Sequence, residues 1–439
     1  MLFVLNIFKR IDPETMSEEA LLHHNMHKSI QNGIFAAVSL GIFSSFLPLF
    51  AIEALGASDY QVALLSSLPQ LVNVLVLIPG ALWLSRLTRY KPFTAVNIGL
   101  GKMLMAMVAL APWQRVLDPA WFVVVFVALL SVPNALGGLG WQALIGELIP
   151  AERRSAFFGR RNRDTTLWSM IAVFFSGLIL NVFDKRWALP YQAFIWIAVF
   201  FGILETITLH QHLEPPRLAA DKAAFGLRAF RGLFRTAPYA RFFVAGLFFH
   251  FAWQMAWPLF NLYNVKVVQA SALWLSLFTV ANQLSQIIAF VYWGRLADRF
   301  GNQAMLAVTA VGMSTAPSLT VLSTSPLYLV AVNFFTGIFV AGTTLLLFNQ
   351  LLNVSPARER TPYIATFNVG VGVIGFLAPQ FGVWLAGAIS LSGAMHISSL
   401  LRLTSAVLFA VIALRFERRE RSAAMMMTPG STGTRSYDG

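Results

Sequence analysis

The chain alternates long apolar runs with short polar breaks, and the runs share one length. They fall at about 30–53, 60–84, 93–112, 120–146, 165–183, 188–210, 241–264, 271–293, 303–322, 327–350, 363–388 and 394–414. A helix needs about 20 apolar residues to cross the hydrocarbon core of a bilayer. In lipid every backbone amide must be paired inside its own segment, so such runs predict helices. The stretch from Phe300 to Ala357 carries no formal charge but is interrupted at Thr324-Ser325-Pro326, and therefore counts as two spans. The pattern predicts an all-α membrane protein with twelve transmembrane helices. It divides the chain into an N-tail at 1–29 with an interfacial helix, a six-helix bundle at 30–210, a polar linker at 211–240, a second six-helix bundle at 241–415 and a disordered tail at 416–439.

Composition supports this reading. Hydrophobic residues make up 57% of the chain and charged residues 12%, where soluble domains carry about 25% charged residues. The net charge of +13 does not point to nucleic acid, because the basic residues alternate from loop to loop. Of 32 basic residues, 26 fall on the side of the two termini, and four, Arg115, Lys185, Arg186 and Lys266, on the other. The positive-inside rule then places both termini in the cytoplasm of a cell (inner) membrane protein. The chain has no cysteine, so it builds no disulfide and no thiolate metal site. His23 and His27 stand four apart, but two histidines alone make a poor metal site. No G-x-x-x-x-G-K-[ST] loop occurs, so direct drive by ATP is not expected. No cofactor, no metal and no enzymatic activity are expected.

The two halves read as copies. Gly294-Arg295-Leu296-Ala297-Asp298-Arg299-Phe300-Gly301 lies between spans 8 and 9. Ala81-Leu82-Trp83-Leu84-Ser85-Arg86-Leu87-Thr88-Arg89 lies 213 residues earlier, between spans 2 and 3. Ala57-Ser58 matches Ala270-Ser271, Pro48-Leu49-Phe50 matches Pro258-Leu259-Phe260, and Gln70-Leu71 matches Gln283-Leu284. Pro150, Arg154 and Asn162 match Pro356, Arg360 and Asn368 at a common offset of 206. Parallel halves of six spans are one known transporter plan. The segment 294–301 resembles the G-x-L-A-D-R-x-G loop signature of the major facilitator superfamily, and span count, central basic linker and repeat extend the resemblance over essentially the whole chain. In the N-half copy Ser85 stands at the acidic position, and Ala81 and Thr88 replace the glycines.

The resemblance implies a cytoplasmic latch. Asp298 and Arg299 would pair with Glu359 and Arg360 in the C half, and Arg86 with Glu147 and Arg154 in the N half. It also implies that spans 1, 4, 7 and 10 wall a central cavity. Polar groups inside spans tend to face a cavity or another helix. Span 7 carries His250, Gln254, Trp257, Asn261 and Asn264 at spacings of 0, 4, 7, 11 and 14, which is one helical stripe, with Trp253 beside it. Such a stripe suits a polar or amphiphilic solute, or else helix–helix packing through amides. Asn134, Asn333 and Thr336 on spans 4 and 10, and Gln70 and Gln283 on the repeat-related spans 2 and 8, complete the candidate substrate-binding set. Lys102 and Arg402 lie within peripheral spans, where snorkelling or packing is expected. Glu205 is read as lying near the end of span 6 without deep burial. His250 is the one stripe residue that titrates near neutral pH, which makes it the candidate for a coupling proton.

The function expected is secondary active transport of a small solute by alternating access, by a monomer whose partners are solute and lipid bilayer. The alternative is a membrane scaffold that has kept the fold and lost transport.

Overall fold

The computed structural model describes residues 17–84, 86–214, 237–355 and 360–427, and these residues form helices joined by short turns, with no strand among them. In chain order the helices are α1 (Glu18–Leu49), α2 (Asp59–Leu84), α3 (Tyr90–Ala109), α4 (Pro119–Leu148), α5 (Ala151–Leu180) and α6 (Ala188–His210). Then follow α7 (Ala237–Gln254), which resumes after a break as Trp257–Leu262, α8 (Ala272–Phe300), α9 (Asn302–Thr320), α10 (Pro326–Val354), α11 (Arg360–Ala388) and α12 (Leu391–Met427).

Local chemistry sets many of the starts. Ser17 caps α1, its hydroxyl accepting from the amide of Ala20, with Glu18 and Glu19 in the first turn, where carboxylates suit the positive end of the helix dipole. Ser58 and Gln61 form a reciprocal box before α2: the Ser58 amide donates to Gln61 Oε1 at 2.8 Å, and the Gln61 amide donates to Ser58 Oγ at 3.3 Å. Asp118 accepts from the amides of Ala120 and Trp121, both at 3.1 Å, ahead of Pro119 in the first turn of α4. Gly301 ends α8 at φ +86°, a backbone that L side chains resist. The final glycine of the loop signature is there for that turn.

Eleven of the helices are long and apolar enough to cross a membrane by themselves. The other is α9, four of whose hydroxyls bond within the helix: Thr309, Ser314, Thr315 and Thr320 each donate to a carbonyl three or four residues back, while Ser318 Oγ lies 2.9 Å from His396 Nδ1 of α12. It packs against α10 and α12.

The packing graph is duplicated. The pairs α1–α5, α1–α6, α2–α4, α3–α4 and α3–α6 recur as α7–α11, α7–α12, α8–α10, α9–α10 and α9–α12. Fine structure repeats too. A π-turn at Phe50–Ala54 returns at Tyr263–Val267. Gly56 with φ +69° returns at Gln269 with φ +53°. Both pairs differ by 213 residues. The register of α1 on α7 is therefore 213, and the expected match of Pro48 with Pro258, at 210, is three residues out of structural register. Pro48 sits inside an unbroken α1, whereas Pro258 restarts a broken α7. The two halves meet along α2–α11 and α5–α8.

Three boundaries differ from expectation. Residues 18–29 are the first turns of α1 rather than a separate interfacial helix, because the cap at Ser17 lets the helix start early. α5 begins at Ala151, well before its apolar run. α12 runs on to Met427, beyond the tail expected to start at 416, in a segment rich in Arg, Glu, Ala and Met, all strong helix formers. Of the linker, residues 215–236 lie outside the described residues.

Candidate substrate site

The centre of the site is the break in α7. A proline has no N–H to give, so Pro258 removes the bond to the Gln254 carbonyl and its ring crowds the turn before it. The helix stops at Gln254 and resumes at Trp257. The carbonyls left over at a helix C-terminus need donors, and here α12 supplies them. Ser398 Oγ donates to the Ala252 carbonyl at 2.7 Å. Arg402 donates from Nε to Ala252 O at 3.3 Å, from Nη2 to Trp253 O at 3.1 Å and from Nη1 to Met313 O of α9 at 3.0 Å. Arg402 is 1% exposed. Snorkelling does not describe it: the cation is held by carbonyl oxygens at the negative end of a helix.

Around the break the expected residues converge in part. His250 stacks on Trp253 with centroids 5.7 Å apart, and Trp253 meets Trp257 edge-on at 6.4 Å. Phe367 of α11 closes on the edge of His250 at 5.9 Å. The Gln254 amide nitrogen lies 3.4 Å from His250 Nδ1 and 3.5 Å from the Val371 carbonyl of α11. Gly375 of α11 leaves room for two amides: a Cβ there would stand 2.5 Å from Gln254 Oε1 and 3.0 Å from Gln70 Cγ. So Gln70, from the other half, joins the α7 group. One turn further, Gln380 donates to Ser67 Oγ at 2.7 Å across the same seam.

The remaining candidates lie elsewhere. Asn261 is half-buried one turn beyond Trp257. Asn333 serves the α8–α10 contact, its carbonyl accepting from Asn282 at 3.1 Å and its amide donating to Leu329 at 2.9 Å. Thr336 adjoins Gly337, which packs against α8. Asn134 points at Gly101 of α3, within its own half. Gln283 Oε1 is buried with no hydrogen-bond partner among the described residues.

At the latch, Asp298 and Arg299 are exposed, and Arg299 lies 5.0 Å from the ring centroid of Phe300. Neither makes an ion pair with a described residue. Glu359 and the side chains of Arg360 and Arg154 lie outside the described residues. Arg86 and Glu147 are both exposed.

Sequence reasoning missed a second polar centre. Lys102 Nζ lies 2.9 Å from Glu205 Oε2, with side chains 10% and 8% exposed. Glu205 is therefore deep in the N half, not near a surface. Asn32 of α1 donates to the Glu205 carbonyl at 2.8 Å. Below this lies a junction of α1, α3 and the residues after α6. Asn25 exchanges two bonds with the backbone of Leu213, and Glu214 accepts from the amides of Tyr90 and Lys91 at the start of α3. Lys91 Nζ in turn donates to the carbonyls of His210 and His212. The charged and amide residues of these contacts were visible in the sequence; which residue met which was not.

A duplicated twelve-helix bundle with a polar, aromatic break at the seam of its halves defines a polytopic membrane transport fold. The Major Facilitator Superfamily profile matches residues 32–274 and 242–425, and the chain belongs to that superfamily. It is 24% identical over 377 residues to the multi-drug resistance efflux pump PmrA of Streptococcus pneumoniae, covering 82% of this chain and 89% of that one. Its fold is similar to that of the nucleoside transporter NupG, with TM-score 0.67, 13% identity, 90% of this chain and 99% of that one. It is also similar to a D-xylose–proton symporter, with TM-score 0.65, 14% identity, 88% of this chain and 97% of that one. The protein is thus a non-enzymatic membrane transporter of this superfamily, a class that binds small-molecule substrates.

Proposed function

We propose that the chain exports an amphiphilic small solute across the cell membrane by alternating access, with both termini in the cytoplasm and the linker at 211–240 tethering the halves. The observation that carries the reading is the α7 break, where Trp253, Trp257, His250, Gln254 and Gln70 gather apolar faces and amides at the seam between the halves. Such a mixture suits a solute with one flat apolar face and a few polar groups. The similarity to a pump whose name says multi-drug efflux supports the direction.

The polar contacts between halves support a state closed on the outside. Lys266 of the C half pairs with Asp59 of the N half. Lys185 donates to the carbonyl of Gln269. With the Gln380–Ser67 bond, all three lie toward the end opposite the termini. Asp298 and Arg299 would form the opposing latch when the cytoplasmic side closes. His250 is the candidate for proton coupling.

The test is flux of an amphiphilic dye from proteoliposomes, with and without an imposed pH gradient. Transport that rises at least tenfold over empty vesicles, and that Trp253→Ala with Gln254→Ala abolishes, is expected. Absence of flux under every gradient would favour a scaffold that has kept the fold.

A further inference from the structure

Among the described residues, two arginines reach inward between the helices, and they differ in one respect. Arg402 gives all three of its nitrogens to carbonyls. Arg161, on α5 and half-buried, has one long bond, from Nε to the Ser29 carbonyl of α1 at 3.4 Å. Its guanidinium lies 4.2 Å from the ring centroid of Trp141 on α4. Beside it, the Trp141 indole N–H and the Ser29 hydroxyl are buried with no hydrogen-bond partner among the described residues. Gly33 of α1 makes the space: a Cβ there would stand 2.7 Å from the guanidinium.

The repeat shows the same place filled without a charge. Adding 213 to Gly33 gives Gly246, and adding 206 to Arg161 gives Phe367. Phe367 packs on Gly246, where a Cβ would stand 2.9 Å from its ring. Adding 213 to Ser29 gives Phe242, and Phe242 stacks on Phe367 at 5.4 Å. The C half thus fills the position with a stacked aromatic pair. The N half puts a cation, a hydroxyl and an indole N–H there instead, and leaves donors without acceptors. Arg161 makes no ion pair with a described residue, and the buried carboxylate of Glu205 is held by Lys102 at 2.9 Å. The guanidinium is thus a half-buried charge with no carboxylate of its own among the described residues. Burial of such a charge is costly without a partner.

We propose that Arg161, Trp141 and Ser29 form an anion site that takes the carboxylate or phosphate group of an amphiphilic solute, its apolar body lying against α1 and α4. Arginine suits this work, since its planar fork bonds two oxygens at once and its face lies on an aromatic ring. The site rests on the transport reading and deepens it by giving the cargo an acidic group, although its binding step needs no transport. A lipid headgroup phosphate shares this chemistry.

Binding to the purified full-length chain tests it. Isothermal titration in neutral detergent compares benzoate with its neutral isostere benzamide. Titration into nanodiscs of phosphatidylcholine, with or without phosphatidylglycerol, supplies the headgroup arm. Benzoate, or phosphatidylglycerol measured by native mass spectrometry, should bind the unsubstituted chain. Arg161→Phe, which installs the residue of the other half, and Arg161→Gln should each weaken that binding at least tenfold and leave benzamide unchanged. Displacement of benzoate by phosphatidylglycerol would identify the headgroup as ligand; no displacement would leave a soluble anion. The proposal is overturned if neither anion binds better than benzamide, or if either binds both variants undiminished. A chain that binds benzoate through Arg161 yet moves no dye would sink the transport reading alone.

Discussion

Arg402 shows how a charge survives at the centre of a bilayer protein without an acid. Three carbonyls at 3.0–3.3 Å surround it, two of them from the end of α7, where the helix dipole concentrates negative potential. Arg402→Met would strip donors from all three. With charge-assisted bonds worth about 1.5–3 kcal/mol each, and losses only partly additive, thermal unfolding in detergent should show destabilisation of about 3 kcal/mol. An unchanged melting curve would mean that water replaces the guanidinium without penalty. Lys102 and Glu205 make the opposite case, a closed pair. Removing one partner of a buried pair costs about 3–5 kcal/mol, while replacing both with apolar groups is often neutral. Lys102→Met should therefore melt far below the parent, and Lys102→Met with Glu205→Met should recover most of the loss. A double variant as unstable as the single would show that the pair does more than neutralise itself. From sequence, both lysine and arginine were visible as charges within spans. Their partners were not, because a backbone carbonyl leaves no mark in a sequence and Glu205 lies 103 positions from Lys102.

At the scale of elements, the helices were legible because each must satisfy itself in lipid. Caps at Ser17 and Asp118 and the turn at Gly301 are local chemistry, and the sequence carries them directly. The break of α7 was half legible: Pro258 is visible, but a single stripe from His250 to Asn264 requires a continuous helix, and the helix stops at Gln254 and resumes at Trp257. The reason is that a proline near a span's end can kink a helix or stop it, and donors from α12 decide which. Among the site candidates, Gln70, His250, Trp253, Gln254 and Trp257 share one neighbourhood, whereas Asn134 and Asn333 point into their own halves. Residues after α6 show a second device. Burial holds the His212 imidazole down at about 4, and burial pushes the Glu214 carboxyl up. The histidine is neutral when folded and charged when unfolded across the window from its ordinary 6.5 down to about 4, so stability is lost as pH falls through that window, by at most ~3 kcal/mol. Glu214 works in the other direction, holding its proton more tightly when folded, so its share of stability falls as pH rises. His212→Asn should flatten the acid loss seen in pH-dependent melting of the purified protein. A variant that keeps the full acid slope would place its origin elsewhere.

The whole molecule is a tandem duplication in which symmetry was kept in the backbone and lost in the side chains. The paired π-turns and the positive φ at Gly56 and Gln269 keep the 213-residue register even where the residue type has changed. Arg161 and Phe367 occupy one position with opposite chemistry. Alternating access requires that the halves tilt as bodies, closing one end as the other opens. The contacts at Asp59–Lys266 and Lys185–Gln269 are exposed, and exposed pairs are worth about 0–1 kcal/mol. Such contacts can be broken in every cycle. Replacement of Asp59 and Lys266 together by alanine should therefore leave the melting temperature nearly unchanged, while shifting the population of open and closed states.

Because the chain has no cysteine, spin labels can be placed at will, and paired distances at the two ends of the bundle give the most direct measurement. One pair would join Asp184 to Gln269 at the end away from the termini, and the other Arg86 to Asn302 at the end near them. On addition of a transported amphiphile, the first distance is predicted to lengthen and the second to shorten in the same sample. Two distances that stay fixed, or that lengthen and shorten together, would contradict a transporter whose halves rock about a central site.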